Sequence, residues 1–198
     1  MRAMSEMKTP PNNVEAERAV LGSILLDTTG RDDRVMDICQ SSGVVPETFY
    51  DPRNRAIYAE MQTMARLSKP LDALTLIEEL RVAGKLEAVG GVAYIQSLVD
   101  QTPTSAHAEY YLDIIAGKSL RRTMIDRATK TIEKCYDEGG YPDPQAVLGE
   151  AEKAFLPIRI LKERAICREL ATAVSRNRRE GRRYGFLVVG DRTELQPD

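Results

Sequence analysis

Cysteine and histidine, the side chains most often found in metal and redox centres, are scarce in this chain of 198 residues. The three cysteines, Cys39, Cys135 and Cys167, are far apart and form no C-x-x-C pair, which argues against a disulfide framework and against a zinc site. His107 is the single histidine, and it belongs to no cluster at metal-ligand spacing. No pattern pairs it with a nucleophilic serine or cysteine. The sequence therefore predicts no catalytic, metal-binding or cofactor-binding residue in this chain.

Long hydrophobic runs are also missing. The longest, from 19 to 26, is much shorter than the roughly 20 residues that a membrane-spanning helix needs. The first ten residues, MRAMSEMKTP, lack the apolar core of a signal peptide. We therefore expect a cytoplasmic protein that does not associate with a membrane.

Neither sign of charge is in large excess, since 28 lysines and arginines face 30 aspartates and glutamates. The distribution along the chain is uneven. Residues 1–100 carry 11 basic and 15 acidic side chains, a net charge of −4, whereas residues 158–183 carry 9 and 3, a net charge of +6. The total predicts neither a nucleic-acid binder nor a membrane-surface protein. A basic C-terminal segment follows an otherwise acidic body.

The tripeptide Gly117-Lys118-Ser119 matches the end of a nucleotide-binding P-loop, but the rest of that pattern is missing. Leu112 occupies the position of the second glycine, which lets the loop wrap around the phosphates. The preceding residues, 106–115, show helical spacing rather than the short apolar run of a buried strand. We therefore predict that Gly117 is a weak point inside a long helix and that no nucleotide binds there.

Apolar residues recur at intervals of three and four, and this spacing predicts an all-α fold. A compact bundle of about five short helices is expected first, followed by a long antiparallel helical hairpin and a linker helix. Asn12 and Glu15 form the pattern of a capping box at the first helix. The third helix is predicted to place four side chains in the core: Ile57, Met61, Met64 and Leu67.

The hairpin is predicted from one helix of about 30 residues, from Ser105 to about Tyr136, and a second over residues 146–161. A Gly/Pro-rich turn joins the two helices, which makes them antiparallel neighbours. Val147, Ala151 and Phe155 share one face of the second helix. Such a hairpin outgrows a small bundle, and its apolar side faces water unless a second copy covers it. We therefore predict self-association.

A last amphipathic helix is predicted over residues 164–181, with Ile166, Leu170 and Val174 on a short apolar stripe that must dock on another surface. Arginines at 176, 178, 179, 182 and 183 follow. They are consistent with a solvated linker or with phosphate contacts to nucleic acid, although no aromatic residues for base stacking lie between them. A stand-alone nucleic-acid-binding protein is therefore the alternative to an assembly module.

Five segments in register resemble the N-terminal region of bacterial DnaB-like replicative DNA helicases. The first is PPNNVEAERAVLGSILLD, in which a double proline precedes an E-A-E-x-x-V-L-G helix. The other four follow in order: TFYDPRNRAIYAEM, LDALTLIEELRVAGKLEAVGGVAYIQSLV, TPTSAHAEYYLDII and LRRTMIDRATKTI. The resemblance covers roughly residues 10–157.

The resemblance implies a helicase collar with this organisation: a leader at 1–11, a globular head at 12–102, a hairpin at 104–157, a linker helix at 158–183 and the truncated start of a motor domain or a tail at 184–198. In this family, hairpins pair into dimers, three dimers form a ring, and the ring recruits primase. A helicase loader is a further candidate partner. ATP, Mg²⁺ and DNA would be bound by a RecA-like motor domain, so the chain alone is expected to lack ATPase activity.

The best candidates for contacts with a second copy or with primase are four residues of the hairpin's first helix: Leu120, Arg121, Met124 and Ile125. Packing of the two hairpin helices against each other explains the same spacing. The linker stripe of Ile166, Leu170 and Val174 is expected to dock on the motor domain of a neighbouring subunit.

Overall fold

A computed structural model of the chain describes residues 9–27, 35–102, 104–137, 139–140 and 143–156. Within these ranges the ordered elements are helices and no residue is in a strand, which confirms the all-α prediction. Met1–Phe155 forms one compact unit, and Leu156 is the only described residue of the second, Leu156–Asp198.

Five short helices come first, followed by one long helix and its partner. The helices are α1 (Val14–Leu26), α2 (Val35–Ser41), α3 (Pro52–Arg66), α4 (Ala73–Val82), α5 (Gly91–Asp100), α6 (Ala108–Tyr136) and α7 (144–156). Short 3-10 turns at Pro46–Thr48 and Ser105–His107 precede α3 and α6. We call the part from α1 to α5 the head, and the part of α6 beyond Ile115 together with α7 the hairpin.

Polar side chains cap the first turns of α1, α3 and α4. The prediction of a capping box from Asn12 to Glu15 is wrong by one residue, because the side chain of Asn13 accepts the bond from the Ala16 N–H at 3.0 Å. Asn12 instead donates to the Pro10 carbonyl. Asp72 precedes the fourth helix and is predicted by the same rule to cap it, and the structure confirms this, since its side chain accepts the Thr75 N–H at 2.9 Å.

The core lies between α1 and the helices around it, and α6 contributes its first two turns. Fully buried side chains include Leu21 and Ile24 of α1, Leu76 of α4 and Leu98 of α5. Three of the four residues predicted for the core of α3 are buried, but Leu67 is 61% exposed. It caps the C-terminus of α3, where the chain turns away from the core through Ser68 at a φ of 54°.

Helices α1 and α5 cross so closely that only glycine fits at position 22. A Cβ atom on Gly22 would lie 2.2 Å from the Leu98 carbonyl oxygen and 2.1 Å from the Thr102 hydroxyl oxygen. Both distances are far below van der Waals contact, and the carbonyl belongs to the backbone of α5. This glycine therefore fixes the spacing of the two central helices.

A buried carboxylate connects α1 to the start of α3. Glu17 is 1% exposed, and its oxygens accept bonds from the Tyr50 N–H at 2.6 Å, the Asp51 N–H at 3.2 Å and the Asn54 amide at 3.0 Å. The Tyr94 hydroxyl donates to Asn54 at 2.7 Å and extends the network to α5. A buried charge is tolerated only with such partners.

Helix α6 begins in the head and then leaves it. Ala108, Leu112 and Ile115 are buried against the core, whereas none of the described residues after Ile115 is buried. Gly117 lies inside this helix and is exposed, and a Cβ atom added to it would meet nothing within 4 Å. The prediction that Gly117 belongs to a helix rather than to a nucleotide-binding loop is therefore confirmed.

The hairpin as a candidate partner-binding site

The two helices of the hairpin contact each other through polar groups. Arg127 donates from Nη1 to the Ala154 carbonyl, and Lys134 forms an ion pair with Glu150. The hydrogen bond from Lys134 lowers the pKa of the Glu150 carboxyl. Val147 and Ala151 of α7 are half-buried beside these contacts, along a cleft of about 500 Å³. The face of α6 that meets α7 is therefore the one that carries Arg127 and Lys134.

A second face of α6 points into solvent and is largely apolar. Its residues are Leu120 (39% exposed), Arg121 (exposed), Met124 (45%), Ile125 (53%) and Ile132 (55%). We call these five residues the outer stripe. At 100° per residue, the positions 121, 125 and 132 lie within about 40° of one another around the helix axis and well away from 127 and 134. Met124 lies about 60° and Leu120 about 100° from Arg121, on the side towards Arg127, so the outer stripe spans about 140° around the helix. Leu120 and Met124 form its edge nearest to α7.

The four residues singled out from the sequence all belong to the outer stripe. Leu120, Arg121, Met124 and Ile125 occupy little more than one turn of α6, and each is exposed. In the described part of the chain, Arg127 and Lys134 bond to α7. Packing between the hairpin helices stays an alternative interpretation for Leu120, which lies at nearly the same angle around α6 as Arg127. Whether the outer stripe binds a partner stays a prediction.

Arg122, the neighbour of Arg121, is a residue that the sequence pattern did not single out. It is half-buried and points back to the head, where Nη1 donates to the Pro11 carbonyl at 2.9 Å and Nη2 to the Thr48 carbonyl at 2.6 Å. Its guanidinium carbon lies 5.7 Å from the centre of the Tyr50 ring. Burial lowers the pKa of Arg122, while the negative charge of Glu17 opposes that shift. Two adjacent arginines look alike in a sequence, and only the helix rotation separates their environments.

Three further polar residues of the described part of the chain, Glu78, Glu79 and His107, are exposed or half-buried. Glu78 pairs with Arg81, and Glu79 pairs with Lys69 at 2.6 Å. His107 is exposed at the end of a 3-10 turn. No group of three potential metal ligands occurs among the described residues, and none of the described helices could cross a membrane.

Several predicted features lie outside the described residues. They are the linker helix, its stripe of Ile166, Leu170 and Val174, and the arginines between 176 and 183. The predicted start of a motor domain at 184–198 lies outside them as well.

A known protein family matches the head and the start of α6. The family model described as the DnaB-like helicase N terminal domain matches residues 9–117 of the chain. This chain is a member of the DnaB-like helicase N-terminal domain family. The match includes all five head helices and the buried start of α6, so the resemblance noted in the sequence is confirmed.

Replicative helicases are the curated relatives of this DnaB-like domain. The Replicative DNA helicase DnaB of Geobacillus stearothermophilus is 34% identical over 158 residues, which are 78% of this chain and 33% of that protein. The Replicative DNA helicase DnaC of Bacillus subtilis is 32% identical over 151 residues, 76% of this chain and 32% of that protein. The chain therefore spans about a third of the length of these relatives.

Solved structures show the same fold. The N-terminal domain of DnaB helicase from Mycobacterium tuberculosis superposes with a TM-score of 0.65 at 28% identity, covering 75% of this chain and 99% of that one. A second structure, described as a DnaB-like replicative helicase and its interactions with primase, superposes with a TM-score of 0.58 at 24% identity. It covers 74% of this chain and 31% of that one.

Proposed function

We propose that this DnaB-like domain holds helicase subunits together and docks primase, and that the outer stripe of α6 carries these contacts. The observation that supports the proposal is that some side chains of α6 contact α7 and others are exposed to solvent. Arg127 and Lys134 form contacts inside the hairpin, and apolar side chains of α6 are exposed between residues 120 and 132. Exposed apolar surface of this kind marks protein interaction sites.

A second copy of the chain is the first partner that we propose for the outer stripe. A stripe along one straight helix can meet the same stripe of another copy across a two-fold axis, so that each residue serves both subunits. Burying the exposed parts of Met124, Ile125 and Ile132 would contribute roughly 25 cal/mol for each Å² removed from water. The resulting dimer is the unit from which a ring of three dimers would be built.

Primase is the second partner that we propose. The fold of this chain superposes on a DnaB-like helicase whose structure is described together with its interactions with primase, which supports this choice. Arg121 adds a positive charge to an otherwise apolar stripe and could select an acidic partner surface. A helicase loader is a further candidate for the same collar.

The chemistry of unwinding is proposed to reside elsewhere in a full-length relative. The curated relatives are named replicative DNA helicases, and the chain corresponds to about a third of their length. ATP, Mg²⁺ and the DNA strand would then be bound by a motor domain in the remainder. We expect the purified chain of 198 residues to show no ATPase activity above background.

Light scattering on matched variants tests self-association. The double variant Met124→Asp/Ile125→Asp should shift the mass of the purified chain towards that of one copy, because two desolvated carboxylates cannot be covered at low cost. The control is Leu74→Asp, a substitution of the same kind at a 72% exposed position of α4 in the head. Equal masses for all three proteins at every concentration would contradict a role of the outer stripe in pairing.

Capture by immobilised primase tests the second contact. Arg121→Glu should reduce capture while leaving the mass in solution unchanged, if the charge serves primase rather than pairing. Capture that is the same for the parent, Arg121→Glu and Leu120→Asp would remove the outer stripe as the primase surface.

Fluorescence anisotropy with labelled single-stranded DNA at two salt concentrations tests the alternative that the chain binds nucleic acid. Tight, salt-sensitive binding that is lost on deleting residues 158–198 would favour this alternative.

A further inference from the structure

The direction of the hairpin relative to the head depends on how α6 is fastened to it. The last buried side chain of α6 is Ile115, and Arg122 is bonded to the head seven residues later. At 1.5 Å per residue, these two attachment points are about 10 Å apart along the helix. The first two turns of α6 are held in the head by the packing of Ala108, Leu112 and Ile115. The bonds of Arg122 hold the helix again beyond that packing, and they restrain the tilt of the part that leaves the head.

The remainder of α6 amplifies any movement at the second attachment. From Ile115 to Tyr136 the helix extends about 32 Å, which is about three times the separation of the two attachment points. A slip of about 1 Å at Arg122 would therefore displace the end of the helix by about 3 Å. The outer stripe lies in between, so its orientation would change with the same tilt.

The contacts of Arg122 suit a positional role. Its guanidinium bonds two carbonyl groups from separate segments, Pro11 before α1 and Thr48 before α3, at sequence separations of 111 and 74. The planar fork of an arginine can bond two acceptors at fixed angles, which a lysine ammonium cannot do. Glu17, buried in α1, favours the positive charge at this place. The attachment thus joins the segments before α1 and before α3 to one point on the hairpin.

We propose that Arg122 is a positioning residue that sets the angle between the head and the hairpin, and thereby aims the outer stripe at its partner. The geometry itself is independent of the proposed function, and only the consequence for partner binding rests on it. Arg121, which is adjacent in sequence and exposed, has no such role and provides a matched control.

Distances between two spin labels within one chain test this directly. Labels are placed at Val82→Cys in the head and Tyr136→Cys at the end of α6, both 85% exposed in the parent. Cys135 and Cys167 are replaced by serine, and Cys39 is kept because it is fully buried and burial raises the pKa of its thiol to about 12. Labelled chain is diluted into unlabelled chain, so that only distances within a chain are measured.

The parent and Arg121→Gln should give one narrow distance distribution, and Arg122→Gln a distribution broader by several ångström, since the lever multiplies each slip of about 1 Å roughly threefold. Arg122→Lys should lie between them. Helical circular dichroism should be unchanged, which separates tilting from unfolding. Should Arg122→Gln fail to fold, Arg122→Lys alone carries the test. Equal widths in the parent and in the folded Arg122 variants would overturn the proposal.

Light scattering on the same proteins distinguishes this proposal from the proposed function. A broadened distribution with unchanged mass would support the role of Arg122 and count against aiming the outer stripe for pairing. A narrow distribution with loss of pairing in Met124→Asp/Ile125→Asp would support the outer stripe and overturn the positioning role.

Discussion

In the head, helices of 7 to 15 residues surround a core with 24 buried apolar residues among those that the structure describes, three of them in the first turns of α6. In the hairpin, a helix that continues to Tyr136 has no buried residue after Ile115 among those described. The two regions are made of the same kind of helix, and they differ in what covers the apolar side chains.

This difference indicates how the two regions divide their tasks. Most apolar side chains of the head pack inside it, although Leu67, Leu74 and Val82 are exposed. Its buried Glu17 also has hydrogen-bond partners within the head. The described part of the hairpin consists largely of solvent-exposed helix. Tertiary packing is the usual source of helix stability in proteins, and the hairpin has little of it within the chain. The exposed outer stripe suits the hairpin to binding a partner. The buried core suits the head to holding the outer stripe in place.

The largest expected effect comes from one substitution made in each region. Gly22→Ala should destabilise the chain by about 3 kcal/mol, because the new Cβ would overlap the backbone of α5 and the two helices would have to move apart. Gly117→Ala should instead stabilise it by up to about 1 kcal/mol, because the site is open and alanine favours the helix. Urea unfolding followed by circular dichroism measures both.

Similar urea midpoints for these two glycine variants would contradict the difference drawn between the head and the hairpin. That result would mean that the head relaxes around position 22 as freely as the hairpin does around position 117. A lower midpoint for Gly117→Ala would show that the hairpin helix depends on an opening at that position.

An intermediate effect is expected from the buried carboxylate of the head. Glu17→Gln replaces one acceptor oxygen by an amide donor facing the N–H groups of Tyr50 or Asp51, and we expect a loss of about 2 kcal/mol. Glu15→Gln, an exposed change in the first turn of the same helix, should cost less than about 1 kcal/mol. Equal losses in the urea midpoint would show that the buried network contributes nothing beyond helix-end charge.

The smallest effect is a pH dependence of the head. The bond from the Thr75 N–H lowers the pKa of Asp72 below its ordinary value of 3.8. The stabilisation is therefore complete above pH 3.8 and is lost as the pH falls through the lower pKa of the folded state. Asp72→Asn keeps a capping oxygen that does not titrate, so its stability should match the parent near neutral pH and fall less steeply in acid. Urea titrations between about pH 2 and pH 6 give the free energy of unfolding of the two proteins. An equally steep loss of this free energy in acid for both proteins would contradict this account.

Much of the fold was predictable because it depends on local rules. Apolar spacing predicted about five short helices before a long one, and Asp72 was predicted as the cap of α4. The errors occurred where two neighbours satisfy the same rule. Asn12 and Asn13 can both cap a helix, and the sequence alone did not show which one begins α1. Leu67 continues the spacing of α3, but the chain has already turned at the end of that helix.

The sequence by itself determined that the chain is helical, that α6 is long, and that an apolar stripe runs along it, because periodicity and caps act within one or two turns. The tertiary structure alone decided which stripe stays exposed, that Gly22 lies against α5, and that Arg122 rather than Arg121 reaches the head. These facts depend on contacts between residues far apart in the chain. No local pattern encodes them, since they arise only when the helices pack together.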